Sequence, residues 1–268
     1  MRLVVNGDDF GITLGVSRGI IKAIKNGIMT DTSAMANMPY FEESIDLAKK
    51  NGINEMGIHL TITCGKSVLP KEVIGDIVDE EGRFYRQPSK KIMIADQVEK
   101  ELRAQIKKFL STGMKINHLD SHHHFYMYDE TIFNVVVKIA KELNVPIRCM
   151  DNYIVNNFCV DYGFDKRSDN DDTIKEVRNH GIKCPDHLVV EFYDKGVSET
   201  ALIDVLSQCI GKYDVVEVMS HPSEEDDYLN KISSYNNMRV EELNVLTSPQ
   251  IKKFIKDNNI ELISYSML

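Results

Sequence analysis

The chain of 268 residues is 43% hydrophobic and 27% charged, with a formal net charge of −9 at pH 7. That length buries a sizeable core. The acidic balance argues against a nucleic-acid partner or an anionic membrane surface and leaves small neutral or cationic ligands open. The start, MRLVVNGDDF, holds an apolar run of three, too short for a secretory signal. No later stretch approaches the roughly 20 apolar residues of a membrane span. The five cysteines (Cys64, Cys149, Cys159, Cys184, Cys209) are odd in number, scattered and without a CxxC pair. Neither a disulfide framework nor a thiolate metal site is expected, and the setting reads as reduced and cytoplasmic.

A strand at 3–5 (LVV) opens the chain, followed by GVSRGIIKAIKNG, whose apolar residues recur at helical spacing up to a capping Gly27. Strands are expected at 32–37 and 57–62. A long helical pattern, IADQVEKELRAQIKKFLSTG, then leads to a strand at 116–121. Asp129 and Ser198 are placed to cap the helices DETIFNVVVKIAKELN and SETALIDVLSQCIG. Further strands are expected at 147–150, 187–192, 215–220 and 261–265. Three polar stretches, 64–92, 151–186 and 222–237, are longer than plain connections and read as functional loops.

Strand and helix alternating without a composition break predict parallel strands with crossover helices. The expected fold is α/β: a TIM-like (β/α) barrel of seven or eight parallel strands, one domain over residues 1–268, with loop insertions at the C-terminal strand ends. A doubly wound open sheet is the alternative. No GxGxxG follows the first strand, which weakens a dinucleotide reading.

In such folds functional groups collect at the carboxyl ends of strands. Asp8 and Asp9 follow the first strand, His59 lies within or near the end of the third, and Asp120, His122, His123 and His124 close the fourth; Arg148 lies in the fifth and His221 follows the seventh. Imidazole and carboxylate together suit a divalent cation, which would relieve the repulsion of the Asp8–Asp9 pair. One aspartate can then ligate while the other serves as general base. If the fourth strand continues, His122 and His124 share a side and His123 points away. Spacing does not choose between the two. Asp120, two residues before His122, is placed to orient it.

These residues stand in blocks: VVNGDDFGITLGVSRGIIKAIKNGIMTDTSAMAN, GIHLTITCGKSV, INHLDSHHHFYM, VEVMSHP and ELNVLTSPQIKKFIKDNNIELISY. In this order they resemble the YdjC-like carbohydrate deacetylases, the group that includes chitooligosaccharide deacetylase. The resemblance implies a TIM-like barrel, a divalent metal (magnesium, with zinc as alternative), and hydrolysis of the acetyl group from an N-acetylated sugar. It implies Asp9, His59 and His122 as metal ligands, Asp8 as base and His221 as acid, and it implies a homodimer. Arg148, Asp120 and His124 are then expected to contact substrate or to support the ligands, although Arg148 also reads as a surface residue at a strand end. Gly7, Ser220 and the Phe125–Tyr126 pair depart from the family pattern without removing a proposed ligand. With no Trp in the chain, Phe84, Tyr85, Tyr228 and Tyr235 are the available sugar-facing aromatics. A phosphoesterase, or a carbohydrate-binding protein with a structural metal, are the rival readings.

Overall fold

A computed structural model describes residues 1–165 and 172–268. Seven strands form one all-parallel sheet: β1 (Arg2–Phe10), β2 (Asp31–Ala34), β3 (Glu55–Leu60), β4 (Lys115–Ser121), β5 (His187–Val189), β6 (Val215–Ser220) and β7 (Glu261–Leu262). The order is β4-β3-β2-β1-β6-β5, with β7 beside the start of β1.

The sheet curls into a barrel. In a flat sheet, strands three places apart would lie about 14 Å from each other. Yet Asn6 Nδ2 on β1 sits 3.4 Å from Asp120 Oδ2 on β4. Arg148, which follows the parallel bridge of Ile147 to Leu119 of β4, hydrogen-bonds Glu217 of β6 at 2.7 Å. Only inward-facing side chains of a curled sheet can meet across it in this way.

Alternation along each strand sorts the residues. Leu3 and Val5 of β1, with Val216 and Val218 of β6, join the main apolar core between sheet and helices. Val4 and Val215 instead meet Ile263 and Tyr265 in a small cluster inside the barrel. Above that cluster the interior is polar, with Asn6, Asp8, Ser33, His59, His118, Asp120 and Glu217 all buried.

The capping signals hold. Asp129 accepts from Thr131 N and Ile132 N, and Ser198 accepts from Ala201 N. Thr13 caps the helix Leu14–Asn26, and Gly27 ends it with extended backbone. Strand ends differ from the sequence reading: β1 runs on through both aspartates, whereas residues 147–150 form only the single bridge at Ile147. β5 stops at Val189 and β7 at Leu262. Of the long stretches, 64–92 carries a short helix and two antiparallel bridges, and 222–237 a short helix at Leu229–Ile232. Residues 151–186 carry helices Asn152–Tyr162 and Thr173–Asn179; 166–171 of that stretch lie outside the described residues.

Candidate metal and acid–base site

Consecutive strand residues should point to opposite faces, but Asp8 and Asp9 serve one site. Asp9 has φ 68°, in the left-handed region, and the β1–β2 register shifts between Gly7 and Phe10. This bulge turns the second carboxylate back toward the barrel mouth. Asp is among the few residues that tolerate such a backbone.

Asp9 Oδ1 lies 2.9 Å from His122 Nδ1 and 3.4 Å from His59 Nε2. Its other oxygen accepts from Arg239 Nη2 at 2.6 Å. Burial would raise the Asp9 carboxyl, but His122 and Arg239 hold it well below the usual range. On its far side His59 is fixed by Asp120, Nδ1 to Oδ1 at 3.0 Å. His59 and Asp120 are direct partners in the β3–β4 register, so strand pairing builds the contact. Asp120 therefore orients His59, and the sequence expectation that it orients His122 is corrected. Ser33 Oγ donates to its other oxygen at 2.7 Å.

Asp9, His59 and His122 bring one donor atom each to within 4.8 Å of one another, and so do Asp8, His59 and Asp120. The first set fits a divalent cation better. In the second, His59 Nδ1 and both carboxylates already engage each other, Arg148, Asn6 and Ser33. In the first, Asp120 aims His59 Nε2 at Asp9, a carboxylate–histidine arrangement that supports a metal ligand. Burial opposes charge on His59 and His122, yet the surrounding carboxylates raise them to about 10 and about 9. The same carboxylates that favour protons on these rings would favour a cation between them.

Asp8 belongs to a second cluster. Arg148 grips it with a two-pronged contact, Nη1 to Oδ2 at 2.6 Å and Nη2 to Oδ1 at 2.8 Å, and Asn6 Nδ2 adds 2.8 Å. Against burial, this guanidinium keeps Asp8 ionised, well below the ordinary carboxylate range. Arg148 is 1% exposed and also approaches Asp120 Oδ2 at 3.2 Å, so the surface reading of this arginine is overturned. Across from it, His221 Nε2 stands 3.9 Å from Asp8 Oδ2. Its backbone N–H donates to Glu242, and Tyr193 and Tyr235 flank its ring edge-on at 5.5 and 5.9 Å.

The histidine run does not continue as strand. β4 stops at Ser121, and both His123 and His124 are left-handed (φ 56° and 53°). The chain turns, so the shared-side expectation for His122 and His124 fails. His123 bonds Thr63 Oγ1 at 3.0 Å, while His124 lies buried against Phe158 with ring centroids 5.7 Å apart. Burial pushes His124 down to about 3.

Sequence reasoning missed Arg239, Glu242 and Tyr193. Arg239 and Glu242 lie in the helix Asn237–Thr247, behind the long stretch that follows His221. Both are buried, and three residues apart they share one helical face, but the sequence carries only the spacing, which an exposed helix shows as well. Tyr193 stacks on Tyr235 at 4.2 Å and stands half-exposed at the rim. Of the other aromatics, Tyr228 pairs with Tyr40 and Phe84 is buried.

Residues 2–257 match the sequence profile of the YdjC-like protein family. The chain is similar to a protein of Thermoanaerobacter pseudethanolicus named carbohydrate deacetylase, at 36% identity over 99% of this chain and 98% of the relative. A Brevibacillus brevis protein of the same name is 33% identical over 100% of both. Among solved structures, an Enterococcus faecalis V583 protein described as a candidate cellobiose-phosphate cleavage protein superposes with a TM-score of 0.84 at 29% identity, covering 99% of this chain and 98% of that one.

Proposed function

This chain belongs to the YdjC-like family, and from that premise we propose that it is a carbohydrate N-deacetylase. It is a metal-dependent hydrolase that removes acetyl groups from N-acetylglucosamine-containing oligosaccharides such as diacetylchitobiose and releases acetate. The relatives named carbohydrate deacetylases support the reaction class. The observation that carries the reading is the facing of Asp8 and His221, 3.9 Å apart, beside the Asp9–His59–His122 donor set.

Asp9, His59 and His122 would hold the cation, Mg2+ by family resemblance, with Zn2+ suited equally by two imidazoles and a carboxylate. When bound, such an ion polarises the acetamide carbonyl and lowers the pKa of water. Asp8, kept ionised by Arg148, accepts a proton from the attacking water. His221 delivers a proton from Nε2 to the departing sugar nitrogen, which is too basic to leave as an anion. Arg148 and Arg239 are matched by carboxylates, which favours an acyl substrate over a phosphoester. Tyr193, half-exposed at the rim and backed by Tyr235, offers a ring that a sugar packs against.

The test is acetate release from di-N-acetylchitobiose and longer chitooligosaccharides by metal-stripped protein with Mg2+, Zn2+ or no metal. Metal-dependent release is the expected result. Absence of release with either metal, across acetylated sugars, would overturn the reading. A homodimer belongs to the same proposal, and light scattering in solution reads it.

A further inference from the structure

Beneath the site, a chain of buried contacts runs from Asp8 to the last turn of the polypeptide. Arg148 uses both edges of its guanidinium. Nη1 and Nη2 hold Asp8, while Nε and Nη2 donate to Glu217 Oε1 at 3.0 and 2.7 Å. The second oxygen of Glu217 accepts the hydroxyl of Tyr265. Glu217, Arg148 and Tyr265 are each no more than 1% exposed.

Tyr265 is itself firmly seated. Its ring stacks on His118 at 3.8 Å with an interplanar angle of 13°. Gly57 leaves room for that imidazole, since a Cβ there would come within 2.2 Å of it. Its backbone N–H donates to Asp31 Oδ2 at 2.8 Å, and Ile263 N bonds Leu3 O just before it. The C-terminal segment thus plugs the amino-terminal end of the barrel and presents one hydroxyl to its polar interior.

We infer that Tyr265 is a positioning residue for the reaction, acting through Glu217 and Arg148 to fix the orientation of the Asp8 carboxylate. A planar guanidinium held on one edge only can pivot about its bonds to Asp8; held on two edges it cannot. Glu217 serves as the second anchor only while its far oxygen is engaged. Without the hydroxyl, a buried carboxylate oxygen stands unpaired, and Glu217 must move or take up a proton. Either response loosens its hold on Arg148 and lets Asp8 turn away from the attack geometry. Small misplacements of a reacting group lower turnover far more than they lower binding.

The inference rests on the deacetylase reading, and the test separates the two. In Tyr265→Phe the ring stack is kept and only the hydroxyl is lost. The expected result is a fall in kcat of about tenfold, with KM and metal affinity within about twofold of wild type. Val215→Ala, which thins the same apolar cluster without touching the hydroxyl, is the comparison; it lowers the melting temperature and leaves kcat unchanged. An unchanged kcat in Tyr265→Phe, or a kcat loss that tracks melting temperature in both variants, would overturn the inference while leaving the deacetylase reading intact. If wild type releases no acetate, the deacetylase reading fails instead. The relay is then read from the 15N resonance of Arg148 Nε: a shift in Tyr265→Phe sustains it, and an unmoved signal removes it.

Discussion

Arg239 Nη2 donates to Asp9 Oδ2 at 2.6 Å, across 230 positions of sequence. The guanidinium occupies one carboxylate oxygen and leaves the other facing His59 and His122. Arg239 is tied down in turn by Tyr235 O, which accepts from its Nε at 3.0 Å. Arg239→Gln should therefore weaken metal binding by about 10- to 100-fold, the usual effect of removing a partner of a metal ligand. Titration calorimetry of metal into stripped protein measures it, and unchanged affinity would show that Asp9 needs no such guide.

Asp8→Asn separates binding from chemistry. Turnover should fall by about 10²- to 10⁴-fold, the usual worth of a general base, while metal content stays at the wild-type level. Acetate release and elemental analysis on the same preparation decide it. Loss of metal along with activity would mean that Asp8 belongs to the ligand set.

Metal should stabilise the fold. At about 100 times its dissociation constant, an ion that binds only the folded chain adds about 2.7 kcal/mol. For a chain of this size that corresponds to a rise of several degrees in melting temperature. His59→Ala and His122→Ala should abolish the rise, as read by a thermal melt with and without Mg2+ or Zn2+.

Gly19 packs its helix on the segment after His221, and a Cβ there would stand 2.5 Å from Ser223 Cα. Because the obstacle is backbone, Gly19→Ala should cost about 1–3 kcal/mol and displace His221. A chemical-denaturation midpoint and kcat should both fall; a shift in stability alone would show that the segment moves without its histidine.

Acid stability has a separate source at the other end of the barrel. Asp186 accepts from Val215 N at 2.7 Å, Asp214 N at 3.1 Å and Arg178 Nη2 at 2.5 Å. Burial raises its carboxyl, but these donors win and hold it below its ordinary value. A lowered folded pKa means the contribution is present above the unfolded value of about 3.9 and fades as pH falls through the folded one. Asp186→Asn should destabilise the protein at pH 7, and the deficit should shrink as pH falls below the unfolded carboxylate value of about 3.9. Parallel melts above and below that value check it; an equal deficit at both would assign the loss to shape.

Much of this was legible before any coordinates. The polar residues at strand ends, Asp8, Asp9, His59, His122 and His221, come together because parallel strands deliver their carboxyl ends to one face. What escaped was non-local or depended on backbone detail. Asp120 serves His59 rather than His122 because those residues pair across β3 and β4, and register is not written in either segment alone. The turn at His123 and His124 takes two left-handed residues in succession, which nothing in HHHFYM announces. Arg239 lies in NMRVEELNVLT, a stretch that reads as an ordinary surface helix until its partner is known.

The left-handed backbone at Asp9 narrows what can ever replace it. Glutamate is an ordinary ligand in chemical terms, but it lacks the tolerance for left-handed backbone that Asp, Asn, His and Gly share, so on this twisted bulge it would project from a strained main chain. Asparagine and glycine suit the conformation and surrender the charge. Selection at this position is therefore conformational as much as chemical. Changing the preferred ion would mean rebuilding the turn as well as the donor, so variation is easier at the two histidines and at the rim tyrosines than at the bulge itself.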